Sequence, residues 1–124
     1  RLIAALYFFG GAVHVANILG FGQVPFSEAP LAWQIGDVYF GTLDIVAVIG
    51  LILIRWWGLA AFLLAAFSQL VAYTLFADAF AFNDEQSEAL TSMLWFHAVT
   101  LAIFFGGLYA VARNANNTTE PPSQ

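Results

Sequence analysis

Phe8–Asn17 reads FFGGAVHVAN, placing a glycine pair, a histidine and an asparagine inside a run, Leu2 to Gly20, that is otherwise apolar enough for lipid. Gly10, His14 and Asn17 are spaced three and four apart, so they share one face of a helix. An ionisable side chain at membrane depth is costly and faces protein or a water-filled space rather than acyl chains; His14 therefore marks a candidate site whose partners must come from other helices. The run is close to the about 20 residues that a spanning helix needs. A signal-peptide reading competes, because Arg1 precedes it. His14, Asn17 and the lack of a small-residue cleavage site after the run favour a retained helix.

Three further apolar runs follow: Gly36 to Ile54, Trp56 to about Phe80, and Leu90 to Ala112. The expected fold is all-α, a bundle of four transmembrane helices over residues 1–113, with a polar and mobile tail at 114–124. Composition agrees: 61% of the 124 residues are hydrophobic and only 9% charged, with a mean hydropathy of +0.81. The absence of cysteine excludes disulfides, thiolate ligands and thiol nucleophiles, and the absence of lysine excludes Schiff-base chemistry. Three arginines are too few for a nucleic-acid surface.

Those arginines orient the chain. Arg1 precedes the first span, Arg55 lies between the second and third, and Arg113 follows the fourth, so all fall on one side, while Glu28, Asp37, Asp78, Asp84, Glu85 and Glu88 fall on the other. The positive-inside rule makes the arginine side cytoplasmic and puts both termini there, in an integral protein of a bacterial inner membrane. The sequons at Asn116 and Asn117 then lie inside and carry no glycan.

The short Arg55-Trp56-Trp57-Gly58 link makes spans two and three antiparallel neighbours with tryptophans at an interface. The loop from Phe21 to Ile35, with Pro25, Pro30, Phe26 and Trp33, is expected to lie as an ordered cap over the bundle, roofing a cavity. Asn83 followed by Gln86 has capping-box spacing and starts the last helix ahead of its span. FFGG recurs at Phe104–Gly107, and the two glycine pairs offer a close approach of the first and last helices, or a chance repeat in an apolar alphabet.

The remaining polar residues fall at one depth. At 1.5 Å of rise per residue, His14 lies roughly 9 Å below Gly20, Asp44 about 12 Å below Gly36 and His97 about 10 Å below Leu90. Gln69 and Tyr73 fall in the same layer. The expected interior is a His14, Asp44, His97 cluster surrounded by Asn17, Gln69, Tyr73 and Thr100. Several uses stay open. The cluster can be structural, each histidine tied to a carbonyl or hydroxyl between helices. It can hold a ligand in an accessory subunit. His14 and His97 can be axial ligands of a b-type haem, or His14, Asp44 and His97 a 2-His-1-carboxylate set for a single metal ion in a membrane enzyme. A proton path through His14 and Asp44 is a further use. The expected partners are the bilayer and either further copies of the chain or a larger membrane complex.

Ile35-Gly36, Leu43-Asp44, Gly50–Leu53, the Arg55-Trp56-Trp57 link and the alanine-rich Gly58–Ala66 resemble the DoxX-like group of small bacterial four-helix membrane proteins. The resemblance spans about half the chain. It implies a four-helix fold and an association with membrane redox enzymes; His14 and His97 match no motif of that group.

Overall fold

The computed structural model describes residues 1–81 and 83–118, which are helical throughout apart from short links. Five helices occur: α1 (Leu2–Ile18), α2 (Leu31–Ile52), α3 (Trp56–Leu75), a single turn α4 (Ala77–Phe80) and α5 (Asp84–Thr118), with a 3-10 turn at Phe26–Glu28. Among the described residues α2, α3 and α5 are long and apolar enough to cross a membrane, and α1 is a shorter apolar helix of 17 residues. The protein is thus all-α and membrane-spanning.

Helix ends are written in the backbone. Past α1, Gly20 takes φ +84°, and Gly20 N–H and Phe21 N–H donate to the carbonyls of Asn17 and Ala16, the paired bonds of a Schellman stop. α2 ends the same way, with Ile54 N–H on Leu51 O and Arg55 N–H on Gly50 O. Here Ile54, a β-branched residue, occupies the left-handed position at φ 53°, where glycine is the usual choice. The resulting reversal is tight enough that Gly50 and Gly58 meet backbone to backbone: a Cβ on Gly50 would stand 2.6 Å from Gly58 N. At the start of α5, Asn83 Oδ1 accepts from Gln86 N–H at 2.8 Å, as the cap spacing requires. The Gln86 side chain does not complete a capping box; it donates to Gln23 Oε1. Gln23 in turn donates to Glu85 at 2.6 Å, which ties the loop between α1 and α2 to the start of α5.

α1 packs along α2, α2 along α3, and α3 against α5. Apolar burial gives little net drive between helices already in lipid, so close contact depends on small residues. Ala47 of α2 and Ala61, Ala65 and Ala66 of α3 supply them, with Tyr7, Phe62 and Leu101 filling the space between. A second cluster at the opposite end joins Trp33, Phe40, Tyr73, Phe80 and Leu90. Trp33 Nε1 donates to Phe80 O at 2.6 Å, fixing the turn α4 under the loop between α1 and α2.

Three expectations change. The third span stops at Leu75, not about Phe80, because the chain kinks at Phe76 before α4. α5 runs through residue 113 to Thr118, so 114–118 extend the helix; residues 119–124 of the expected tail lie outside the described residues. The two FFGG copies do not meet: Gly10 and Gly11 lie against Asp44 and Ile45 of α2, whereas a Cβ on Gly106 or Gly107 would have nothing within 4 Å.

Candidate functional site

α1 and α2 cross where glycine removes the side chain from one partner. A Cβ on Gly41 would come 3.0 Å from His14 Cβ, and one on Gly10 would come 3.0 Å from Asp44 Oδ2. In this antiparallel register the residue level with His14 is Gly41. Asp44 is three positions further along α2, about 4.5 Å deeper. The single polar layer expected from the sequence is therefore staggered. The depth was reckoned from Gly36, whereas α2 begins at Leu31.

The stagger decides the pairing. His14 Nδ1 lies 2.8 Å from Asp37 Oδ1, and the same oxygen accepts from Asn17 Nδ2 at 3.1 Å. Asp37, and not Asp44, is the direct partner of His14. Both residues are buried, at 6% and 4% exposure, so the contact is shielded from solvent and salt.

On α5, His97 Nδ1 is 2.7 Å from Met93 O, one turn back. A carbonyl only accepts, so Nδ1 is the protonated nitrogen of this ring. The rings of Tyr7 and Phe96 stand edge-on to His97, at centroid distances of 6.1 and 5.1 Å. Tyr7 thereby bridges the inner parts of α1 and α5.

Outward of Tyr7 the two helices part and leave a groove of about 300 Å³. Phe9, Val13, Met93 and Phe96 form its apolar flanks, and His14, Asn17, Asp44, Gln69 and His97 its polar wall. That volume is at the lower end of small-molecule sites, and an apolar cavity with a few convergent polar groups is their usual form. Asp44 Oδ1 and Gln69 Nε2 are buried with no hydrogen-bond partner among the described residues. A smaller cavity of about 170 Å³ lies outside it, under the Gly22–Ala29 loop, bordered by Asp37 and Gln86. Val13, Asn17, Ala89 and Met93 line both spaces. The loop is the roof that its prolines and aromatics suggested.

Of the residues singled out from the sequence, His14, Asp44, His97, Asn17 and Gln69 come together on this groove. Tyr73 and Thr100 do not. Tyr73 packs in the outer aromatic cluster, 5.8 Å from Phe40 by ring centroid. The Thr100 hydroxyl bonds to Phe96 O and His97 O of its own helix. In the sequence Asp37 counts only among the acids opposite the arginines, and nothing there marks it as the partner of His14. The apolar flanks carry no signal in sequence that separates them from lipid-facing residues.

The two cofactors considered from the sequence can be tested against these residues. Among the described residues no three His, Cys, Asp or Glu side chains are disposed to hold a metal ion, so His14, Asp44 and His97 share a groove without forming a ligand set. For haem, the groove of about 300 Å³ is small for a tetrapyrrole. Arg1, the one arginine bordering a described cavity, lies with Ala4, Val48 and Ile52, deeper along the bundle than the groove.

The fold and groove define an all-helical membrane protein with a polar-walled site between two helices. A family model matches residues 1–115, and the chain belongs to that family, described as a family of unknown function, DUF6163. No curated protein and no solved structure matches the chain.

Proposed function

We propose that this protein is a small ligand-binding or accessory subunit of a bacterial inner membrane, whose groove between α1 and α5 receives a lipid-soluble molecule. Its four helices α1, α2, α3 and α5 each cross the bilayer, with the arginine-bearing ends in the cytoplasm. The 17 residues of α1 are about 25 Å long, short of a hydrocarbon core of about 30 Å but within reach of local thinning. The groove then opens sideways to lipid in the outer half of the membrane.

One observation carries this reading: a 300 Å³ groove whose wall holds two buried polar atoms left unpaired by the protein. Unpaired polar groups buried at membrane depth cost several kcal/mol each, and an amphipathic ligand whose head draws these side chains toward the groove removes that cost. A larger membrane redox complex is the setting this reading favours. The DoxX-like resemblance of α2 and α3 supports the same setting.

Mass spectrometry of small molecules extracted from protein purified in native lipid tests it. Wild type is expected to retain one species in stoichiometric amount, and Val13→Trp, which fills the groove, to lose it. Equal retention by both, or none by either, contradicts the reading.

A further inference from the structure

The cavity of about 170 Å³ under the Gly22–Ala29 loop and the groove lie one above the other in the cleft between α1 and α5, with Val13, Asn17, Ala89 and Met93 bordering both. A water needs about 10–15 Å³ of such space, so the upper cavity has room for several, and Asn17, Gln23, Asp37 and Gln86 on its walls suit them. The loop above is lightly held. None of residues 21–30 is buried, and Phe21, 80% exposed, is not among the residues that line the cavity. Its ends are fixed to α1, through Gly20 N–H and Phe21 N–H, and to α2, through Gln34 Nε2 on Ala29 O at 2.8 Å. Its hydrogen bonds to α5, among the described residues, both run through one side chain: Gln23 Nε2 donates to Glu85 Oε1 and Gln23 Oε1 accepts from Gln86 Nε2. A carboxylate only accepts, so Glu85 sets the direction of the Gln23 amide, which leaves its oxygen for Gln86. A segment with little buried surface and few bonds to its neighbours is the kind that opens by itself while the bundle stays folded.

We propose that this loop is a latched cover over an aqueous entrance to the groove, with Gln23 as the latch. While Gln23 holds Glu85 and Gln86, the groove is reached from the bilayer. When it lets go, the loop swings about Gly20, already in the left-handed region at φ +84°, and water and small water-soluble molecules reach the polar wall from the membrane surface, past the flexible Met93. The inference rests on the ligand-binding reading above and adds a second way in, one open to polar molecules that do not travel through lipid.

Because the chain has no cysteine, single reporters test this without a ligand. Ala89→Cys, where the two spaces join, and separately His97→Cys, which borders the groove alone, are each combined with Gln23→Ala in protein held in nanodiscs. The rate of reaction with the membrane-impermeant (2-trimethylammonium)ethyl methanethiosulfonate is measured. Gln23→Ala is expected to raise it roughly tenfold or more at both reporters, the weight of two ordinary hydrogen bonds in an opening equilibrium, and Glu85→Ala to raise it by less. Ala66→Cys, fully buried in the core, is expected to stay unreactive throughout, which tells an opened cover from a loosened bundle. Ala89→Cys is the milder change and decides the matter if His97→Cys does not fold. Reporter rates unchanged by Gln23→Ala, or a matching rise at Ala66→Cys, overturn the latch while leaving the groove and its opening to lipid in place; the small-molecule extraction described above judges that reading independently of these rates.

Discussion

Replacing Gly50 by alanine sets two known effects against each other. In a helix interior alanine is favoured over glycine by about 0.8–1.0 kcal/mol. At Gly50, however, the new methyl would stand 2.6 Å from Gly58 N, and ordinary contact begins at 3.4 Å. The obstacle is backbone, so it cannot rotate away; α2 and α3 must part by most of an ångström where Arg55 N–H holds Gly50 O at 2.8 Å. Overpacking of this kind costs about 1–3 kcal/mol, and a backbone obstacle belongs at the upper end. The net loss expected is about 2 kcal/mol, a factor of about thirty in the folding equilibrium. Gly106→Ala is the matched control, since its methyl meets nothing within 4 Å, and only the propensity gain of up to about 1 kcal/mol should remain. Reversible unfolding of the two variants in mixed micelles by added denaturing detergent should separate them by about 3 kcal/mol, the sum of these opposite effects. If Gly50→Ala is as stable as Gly106→Ala, the close crossing does not exist.

Other outcomes follow from the same contacts. Ile54→Gly removes a β-branched residue from the left-handed region at φ 53° and should stabilise by up to about 1 kcal/mol after the entropy of glycine is counted, read in the same unfolding assay. A double-mutant cycle on His14→Ala and Asp37→Ala should return a coupling of about 1–2 kcal/mol, the upper range for polar pairs between membrane helices; a value near zero would remove the pair. Asn83→Ala, which deletes the 2.8 Å cap to Gln86 N–H, should cost about 1 kcal/mol. Because the chain has no cysteine, Ile54→Cys and Asp84→Cys report sidedness cleanly. A membrane-impermeant maleimide added to intact cells should label the Asp84 position and spare the Ile54 position, and the reverse pattern would invert the topology.

The helices were legible in the sequence because they rest on local properties: length of the apolar runs, the Arg55 hairpin and the Asn83 cap each depend on residues close together in the chain. The site was legible in outline, since costly polar residues at membrane depth must face inward and five of those singled out line one groove. Its pairing was not. Which acid meets His14 depends on where α2 begins, and Pro30 followed by Leu31 starts that helix five residues before the apolar run suggests. A shift of that size moves a helix by more than one turn, enough to replace Asp44 with Gly41 opposite His14. Tyr73 and Thr100 stand at plausible depths, but they turn to Phe40 and to the carbonyls of α5. The repeated glycine pairs misled for a related reason. A glycine permits close approach but does not choose the neighbour, and Gly10 and Gly11 found α2 instead of α5.

The most direct measurement is a cryo-EM or crystal structure of the protein purified in its own lipid. A bound molecule is expected between α1 and α5, its head within about 3 Å of Asp44 Oδ1 and Gln69 Nε2 and its tail leaving past Val13 toward the bilayer. A structure in which α1 and α5 close on each other, with Asp44 and Gln69 bonded to protein groups and no molecule between the helices, would contradict it.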